Sequence, residues 1–350
     1  MPSPWSLPDF DAHEGVHLFD DRSSGLRAVI AIHSTHLGPA AGGARFWRYA
    51  RDEDAIVDAL RLSRGMSYKN ALAGLPVGGG KGVILASGSG AKTPEIMHAF
   101  GDAIEALGGR YITAEDVGMT EADMATIAER TAHVSGLPVG GGAAGGDPGP
   151  VTAHGVFLGV KAAIGQAFGS DTVRGVRVAI QGVGSVGGGL ARLLAAEGAI
   201  LTVADKDGPR AQALASEIGA QIVGVEDILA IETDVLSPNA LGAVLNAASI
   251  AAIRARVVAG GANNQFATTA DAVRLHERGI LYAPDYVINA GGIINVVLAY
   301  MGLAKSRQDV LDKVAEIPDR LRAIWQESGA TGRPPSVVAD TMAQGLIGRG

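Results

Sequence analysis

Two of the seven lysines in this 350-residue chain lie twelve residues apart, Lys69 and Lys81, in the segment MSYKNALAGLPVGGGKGVI (Met66–Ile84). A lysine that is desolvated, or set beside another cation, has its pKa pulled down and can act as a general base near neutral pH. Glycines beside it let the backbone approach a ligand while the amine stays fixed. Two such lysines in one pocket would divide the work, one pairing with a substrate carboxylate and one moving protons. The spacing leaves solvated surface lysines open as the alternative. A carboxylate candidate, Asp116, stands in AEDVG (Ala114–Gly118) just past the strand-like RYITA (Arg110–Ala114). Clefts form at strand C-termini; a turn-capping aspartate is the plainer reading.

A second constellation is the run Gly182, Val183, Gly184, Ser185, Val186, Gly187, which matches G-x-G-x-x-G. In a chain with 50 glycines the match gains weight only from its setting. It follows a predicted strand, opens a predicted helix and precedes a second strand ending at Asp205. Gly182 permits the tight turn, Gly184 lets a pyrophosphate reach the backbone, and Gly187 lets helix and strand pack closely. The helix N-terminus offers free N–H groups to phosphates. Asp205 is placed to accept hydrogen bonds from a ribose 2′-OH and to repel a 2′-phosphate, favouring NAD over NADP. Lys206 beside it argues the other way.

The elements that must position these groups fall on either side of a Gly- and Pro-dense segment, LPVGGGAAGGDPGP (Leu137–Pro150), read as a hinge between two domains. Before it come a strand at Gly25–Ser34, a helix at Asp52–Ser63, a helix capped by Thr93 with Pro94 at its first position, and the strand Arg110–Ala114. After it come a helix at Thr152–Phe168, then a βαβ unit from Arg174–Gln181, Gly187–Glu197 and Ala199–Ala204. That unit implies a parallel sheet. Short apolar runs at Ala220–Val223, Val235–Leu236, Val257–Gly260 and Gly279–Tyr282 continue it. The tail reads as a helix at Gln308–Ile324 divided by Pro318, a break at Gly329–Pro335 and a helix at Val337–Ile347.

Composition excludes several classes. A net charge of −7 lacks the basic footprint of a nucleic-acid binder. No cysteine means no disulfide, thiolate catalysis or thiolate metal site. The uncharged run Val287–Ala304 contains asparagines and glycines and reads as buried core, not a membrane span. The N-terminal MPSPWSLPDFDAHE carries no signal-peptide pattern, so a cytoplasmic location is expected. The pairs His13/His17 and His33/His36 have no further ligand cluster and read as core or surface histidines.

From about Gly25 to Ile347 the chain resembles the amino acid dehydrogenase family that contains glutamate, leucine, valine and phenylalanine dehydrogenases. GPAAGGAR (Gly38–Arg45), the lysine segment, GRYITAEDVG (Gly109–Gly118), GDPGPVTAHGV (Gly146–Val156), GVGSVG, ALGAVLN (Ala240–Asn246), GGANNQ (Gly260–Gln265) and PDYVINAGGIINV (Pro284–Val296) carry the resemblance. It implies an α/β chain with an N-terminal substrate, catalytic and oligomerisation domain, residues 1–145, to which 330–350 return. A Rossmann domain, 146–329, would bind NAD, with the cleft between the two. By the same resemblance Lys81 and Asp116 are the catalytic pair and Lys69 binds the substrate α-carboxylate. Gly42 and Gly43 line the substrate site. Thr152 and Asn263 contact the nicotinamide end, and Asn264 or Asn289 faces the substrate. The chain departs from the family pattern at Ala41, Ala44, Met119 and Asn239, without loss of a catalytic group.

The reaction so implied is reversible oxidative deamination of an L-amino acid to a 2-keto acid and ammonium, without metal, by a homo-oligomer. The glutamate enzymes' lysine and serine for the γ-carboxylate fall on Ala41 and Val296; with Ile293 these make an apolar pocket. Aliphatic substrates are expected ahead of aromatic ones such as phenylalanine or tryptophan. An inactive NAD-binding scaffold is the alternative of another class.

Overall fold

The computed structural model describes residues 4–86, 91–137, 143–240 and 242–350. The chain forms two compact units. The first holds Met1–Asp147, Ile293–Val310 and Ala343–Gly350; the second holds Pro148–Gly292 and Leu311–Met342.

In the first unit a six-stranded sheet is built from β1 (Gly15–Asp21), β2 (Leu26–Ser34), β3 (Ala40–Ala41), β4 (Ala44–Trp47), β5 (Gly78–Leu85) and β6 (Tyr111–Ile112). The order is β1-β2-β5-β3-β6, with β4 also paired to β5. Successive side chains point to opposite faces of a strand, and β2 shows the consequence. Val29 and Ala31 pack with Val83 against Ala55, Ala59 and Leu60 of helix α1 (Asp52–Leu72). Ala28, Ile30 and Ile32 face the other way, into a core with Tyr111, with Phe100 of α2 (Pro94–Glu105) and with Met124 of α3 (Glu121–Ala128).

The residue pattern gives no strand signal at Gly78–Leu85, yet this is a central strand. Glycine weakens a strand unless another chain segment must come close. Here it must. A Cβ on Gly78 would lie 1.8 Å from the Ser34 carbonyl oxygen, and one on Gly79 would lie 2.0 Å from the Ser67 nitrogen of α1. A Cβ on Gly80 would sit 2.7 Å from the Tyr111 ring and one on Gly82 2.8 Å from Phe100. Helix α1 also runs to Leu72, nine residues beyond the expected end, so Lys69 is helical. Asn70 fastens that helix end to the sheet, its Nδ2 donating to the carbonyls of Ala41 (3.2 Å) and Gly78 (2.6 Å).

The second unit runs α4 (Gly149–Phe168), β7 (Arg177–Gln181), α5 (Ser185–Ala196), β8 (Ile200–Ala204), α6 (Gly208–Ile218), β9 (Gln221–Ile222), β10 (Val235–Pro238), α7 (Ala247–Ala252), β11 (Val257–Val258), α8 (Thr269–Glu277) and β12 (Leu281–Tyr282). All its strand pairs are parallel, in the order β12-β11-β10-β7-β8-β9. This is the doubly wound order of a Rossmann domain, with its topological switch point between β7 and β10. The chain continues through α9 (Asp285–Ile288), α10 (Gly291–Tyr300), α11 (Arg307–Val314), α12 (Ile317–Thr331) and α13 (Pro335–Leu346). Pro318 begins α12 and so divides the tail, as expected, and α12 ends inside the expected break, at Thr331 with a left-handed cap at Gly332.

The expected boundaries shift in two places. Residues Ile293–Val310, expected in the dinucleotide domain, belong to the first unit. There Asn295 exchanges hydrogen bonds with Gly145 (both 3.0 Å), Tyr300 meets His133 at 3.2 Å and Ser306 bridges to Ala143. The C-terminal segment joins the first unit only from Ala343, not from residue 330. Arg349 secures it by donating to the carbonyls of Asp11 (2.7 Å), Ala12 (2.9 Å) and His33 (2.6 Å). The first half of the expected hinge, residues 138–142, and Leu241 of the ALGAVLN motif lie outside the described residues.

His13 and His33 serve structure. His33 is fully buried, its Nδ1 2.8 Å from Ser67, and burial with Arg349 alongside pushes it down to about 3. His13 reaches Leu60 and Ser63 of α1. Among the described residues no group of three or more His, Asp or Glu is placed to hold a metal ion, and no helix is long and apolar enough to cross a membrane.

Candidate active site

Lys81 lies on the face of β5 that Gly79 and Val83 share, towards α1, and is 4% exposed. Its ammonium meets Oδ2 of Asp116 at 2.7 Å. Asp116 comes from the loop after β6, and that loop is held from several sides. The Asp116 carbonyl accepts from Met119 N, the Val117 carbonyl accepts from Phe46 N, and Lys92 donates to the Gly118 carbonyl. Thr120 and Asp123 close a reciprocal capping box at the start of α3. Gly43 lies directly beneath, since a Cβ there would sit 2.8 Å from the Asp116 Cβ.

Burial pushes the Lys81 amine down from 10.5, and the attraction of Asp116 only partly offsets it. Burial would raise Asp116, but Lys81 and then Arg45 outweigh it and hold the carboxyl below its usual range. The result is a buried amine that gives up its proton more readily than a surface lysine, touching a carboxylate that stays charged. Such a pair can accept a proton at one atom and deliver one at another.

Arg45, in the GPAAGGAR segment, has no role in the sequence reading, yet its Nε donates to the same Asp116 Oδ2 at 3.1 Å. Its Nη1 donates at 2.8 Å to Asp58 of α1, which also accepts from Tyr49 (2.6 Å) and Arg61 (2.7 Å). Spacing gave no signal for this, because Arg45 and Asp116 lie 71 residues apart. A cavity of about 430 Å³ is lined by Arg45, Trp47, Tyr49, Asp58 and Arg61, among others.

The other first-unit candidates are placed as follows. Lys69 is half-buried in the last turn of α1, the helix that packs on β5. Ala41 and Gly42 are buried in the sheet; Tyr111 donates to the Gly42 carbonyl at 2.7 Å. Ile293 is half-buried near the start of α10, and Val296 is buried beside Gly136.

In the second unit the glycine turn begins at the C-terminal end of β7. Gly182 has φ +85°, and a Cβ on Gly187 would lie 1.9 Å from the Gly182 carbonyl oxygen. Gly184 differs: a Cβ there would meet no protein atom within 4 Å, and it begins α5 without any side-chain cap. With Ser185 and Val186 it supplies first-turn N–H groups that have no partner within the helix and could hold a pyrophosphate. Asp205 follows β8. Its Oδ2 accepts from Val183 N at 2.7 Å and its Oδ1 from Asp207 N at 2.9 Å, while Arg210 stands 3.9 Å away.

Asn239, just after β10, is used more than the sequence indicates. It donates to the Ser237 carbonyl and accepts from Gly261 N at 2.8 Å, tying the turn region to the loop Gly260–Gln265. On that loop Asn263 and Asn264 are exposed, Asn264 with φ +52°. Asn289 is buried, and its Nδ2 donates to the Gly261 carbonyl (3.1 Å) and to Asn263 Oδ1 (2.6 Å); its own Oδ1 is buried without a partner. Thr152 donates to the Pro148 carbonyl one turn back in α4, and its Oγ1 borders Gly292.

The chain is similar over nearly its whole length to known proteins. Residues 13–133 match the Glu/Leu/Phe/Val dehydrogenase dimerisation domain, and residues 210–333 match the Glutamate/Leucine/Phenylalanine/Valine dehydrogenase domain. The chain is 46% identical to leucine dehydrogenase of Bacillus subtilis (strain 168) over 337 residues, 96% of this chain and 92% of that protein. It is 44% identical to valine dehydrogenase of Streptomyces albus over 341 residues, 96% and 92% of the two. The crystal structure of L-tryptophan dehydrogenase from Nostoc punctiforme matches with a TM-score of 0.85 at 38% identity, covering 96% of each chain.

Proposed function

The chain belongs to the Glu/Leu/Phe/Val dehydrogenase family of NAD(P)-dependent amino acid dehydrogenases, and from there we propose that it uses NAD to deaminate an L-amino acid with a branched aliphatic side chain. The observation that carries the reading is the contact of the buried Lys81 amine with the half-buried Asp116 carboxylate. Lys69 holds the substrate α-carboxylate in a charge-assisted hydrogen bond. When bound, the nicotinamide supplies the acceptor for the hydride that leaves Cα. Lys81, as the neutral amine, takes a proton from water while the water oxygen attacks the imine carbon. Asp116, charged at the start, takes a proton from the substrate ammonium as the imine forms and returns it to the nitrogen of the water adduct, while the proton taken up by Lys81 is released to solvent. The C–N bond breaks, and the products are the 2-keto acid and ammonium. Gly182–Gly187 hold the pyrophosphate, Asp205 the ribose diol, and Thr152 and Asn263 the nicotinamide end. A homo-oligomer in the cytoplasm completes the reading.

The side-chain preference follows from what is missing. Ala41, Ile293 and Val296 offer no cation to a γ-carboxylate, and an unpaired buried carboxylate costs roughly several kcal/mol. An aliphatic side chain gains about 1.5–3 kcal/mol on burial instead. The leucine and valine dehydrogenases among the relatives support this choice. A second reading, an aromatic substrate, draws on the L-tryptophan dehydrogenase likeness and on the small Ala41.

Initial rates with L-leucine, L-valine, L-isoleucine, L-phenylalanine, L-tryptophan and L-glutamate, each with NAD and with NADP, test the proposal. L-glutamate as best substrate would overturn the pocket assignment, and a preference for L-tryptophan would install the second reading. Lys81→Ala should lower kcat by about 10²–10⁴ while dinucleotide binding is kept. Because the base acts unprotonated and its pKa is lowered, the acid limb of kcat/KM for deamination should lie below 10.5, activity falling as pH drops through it.

A further inference from the structure

A lysine ion-paired to one carboxylate holds its proton more firmly, which works against its use as a base. The first unit contains a counterweight. One oxygen, Oδ2 of Asp116, receives two cations: Lys81 Nζ at 2.7 Å and Arg45 Nε at 3.1 Å. The guanidinium cannot turn away, because its Nη1 is held at 2.8 Å by Asp58, itself only 11% exposed and held by Tyr49 and Arg61.

We propose that Arg45 is a positioning residue of the reaction: by sharing Asp116 Oδ2 with Lys81 while anchored to Asp58, it fixes the orientation and the charge of that carboxylate and weakens the grip of Lys81 on its proton. The proposal rests on the reading of Lys81 and Asp116 as the proton-handling pair. Only a guanidinium can hold the two carboxylates at once through its fork; a lysine would supply the charge without the bridge.

Several charged or titratable groups surround this pair. From β4 and the residues after it come Arg45 and Tyr49, from α1 Asp58 and Arg61, and from β6 Tyr111. Burial pushes both phenols far up, so neither titrates near neutrality. Glu115, next to Asp116, interacts instead with Glu121, Asp147, Asp123 and Lys92.

Both consequences of removing Arg45 have the same sign. Asp116 loses a partner and its pKa rises. Lys81 loses a repelling cation and no longer shares Asp116 Oδ2 with a second one, and its pKa rises too. Deamination needs Asp116 charged and Lys81 neutral, so the acid limb of kcat/KM should move to higher pH.

The experiment measures kcat and KM against pH for wild type, Arg45→Gln, Arg45→Lys, Asp116→Asn and Lys81→Ala as full chains, with urea midpoints alongside. In Arg45→Gln the acid limb should move up by about one unit, with rates roughly tenfold lower below it. Arg45→Lys should return the limb to within about 0.3 unit yet keep a kcat about fivefold low, because the bridge to Asp58 is lost. In the free protein, peptide mapping of Lys81 labelling by an amine-selective reagent should show the same upward shift in Arg45→Gln. That readout needs no turnover. The cavity beside Arg45 leaves room for water in the variant, which favours folding; should Arg45→Gln still unfold, Arg45→Lys decides by its kcat. An unmoved limb in Arg45→Gln, or wild-type kcat in Arg45→Lys, overturns the positioning role while inactive Lys81→Ala and Asp116→Asn keep the underlying reading. Wild-type turnover in either of those two overturns both.

Discussion

Glycine is dense in two regions of this molecule for opposite reasons. In β5 the glycines admit protein: the Ser34 carbonyl, the α1 backbone and two aromatic rings already occupy the space a Cβ would need. In the turn after β7, Gly182 and Gly187 are likewise crowded, but Gly184 between them is open, at the uncapped start of a helix. Composition makes the two regions look alike, and only the neighbours of the missing Cβ tell them apart. One region is a scaffold that brings Lys81 to Asp116. The other leaves the space beside Gly184 open.

The largest effect should come from the first region. In Gly79→Ala the new methyl meets the Ser67 backbone nitrogen, which cannot move without α1. Overpacking against side chains typically costs about 1–3 kcal/mol; against backbone we expect about 3 kcal/mol or more, read as a fall in the urea midpoint. A loss below about 1 kcal/mol would mean that crowding does not explain the glycines of β5. Gly184→Ala should leave that midpoint in place and raise the dinucleotide KM by roughly tenfold, about 1.4 kcal/mol. An unchanged KM would remove the dinucleotide from that space.

Asp205 tests the turn more finely. Its carboxylate braces Val183 N, and the proposed function also gives it the ribose diol. Asp205→Ala should therefore lower the NAD:NADP ratio of kcat/KM and also cost about 1.5–3 kcal/mol of stability, the usual worth of a hydrogen bond to a charged group. A stability loss with an unaltered ratio would make Asp205 a brace only.

How far each region could be read from sequence follows from the range of its interactions. The β7–α5–β8 unit was legible because its signals are local: Val and Ile runs, a spaced glycine turn and an acid at the second strand's end. The Thr93 cap with Pro94 was legible for the same reason. β5 was not, since its glycines contradict strand propensity and are explained only by Ser67, Tyr111 and Phe100, which are remote in sequence. The residue pattern ends the first helix at Ser63, while α1 continues through Lys69 to Asn70, whose partners are the carbonyls of Ala41 in β3 and Gly78 in β5. The return of Ile293–Val310 to the first unit hangs on Asn295 and Gly145, 150 residues apart. Lys81, Asp116 and the turn could be singled out by residue type. Arg45 and Asp58 required the sheet.

A third kind of glycine supplies the smallest and most discriminating test. Gly65 in α1 and Gly329 in α12 are exposed, have no neighbour near a built Cβ, and need no left-handed backbone. Neither crowding nor a turn accounts for them. Glycine within a helix costs up to about 1 kcal/mol relative to alanine, and alanine also lowers the entropy of the unfolded chain. Gly65→Ala and Gly329→Ala should each raise stability by about 0.5–1 kcal/mol, seen as a higher urea midpoint. Gly329→Ala should leave the kinetics untouched. Gly65 stands one turn before Lys69 on the same helix, so the amino acid KM is the second measurement there. Stability gained with KM unchanged would make Gly65 a glycine of no special use. Stability gained with KM raised, in Gly65→Ala alone, would place it with Gly184, as room kept for a ligand.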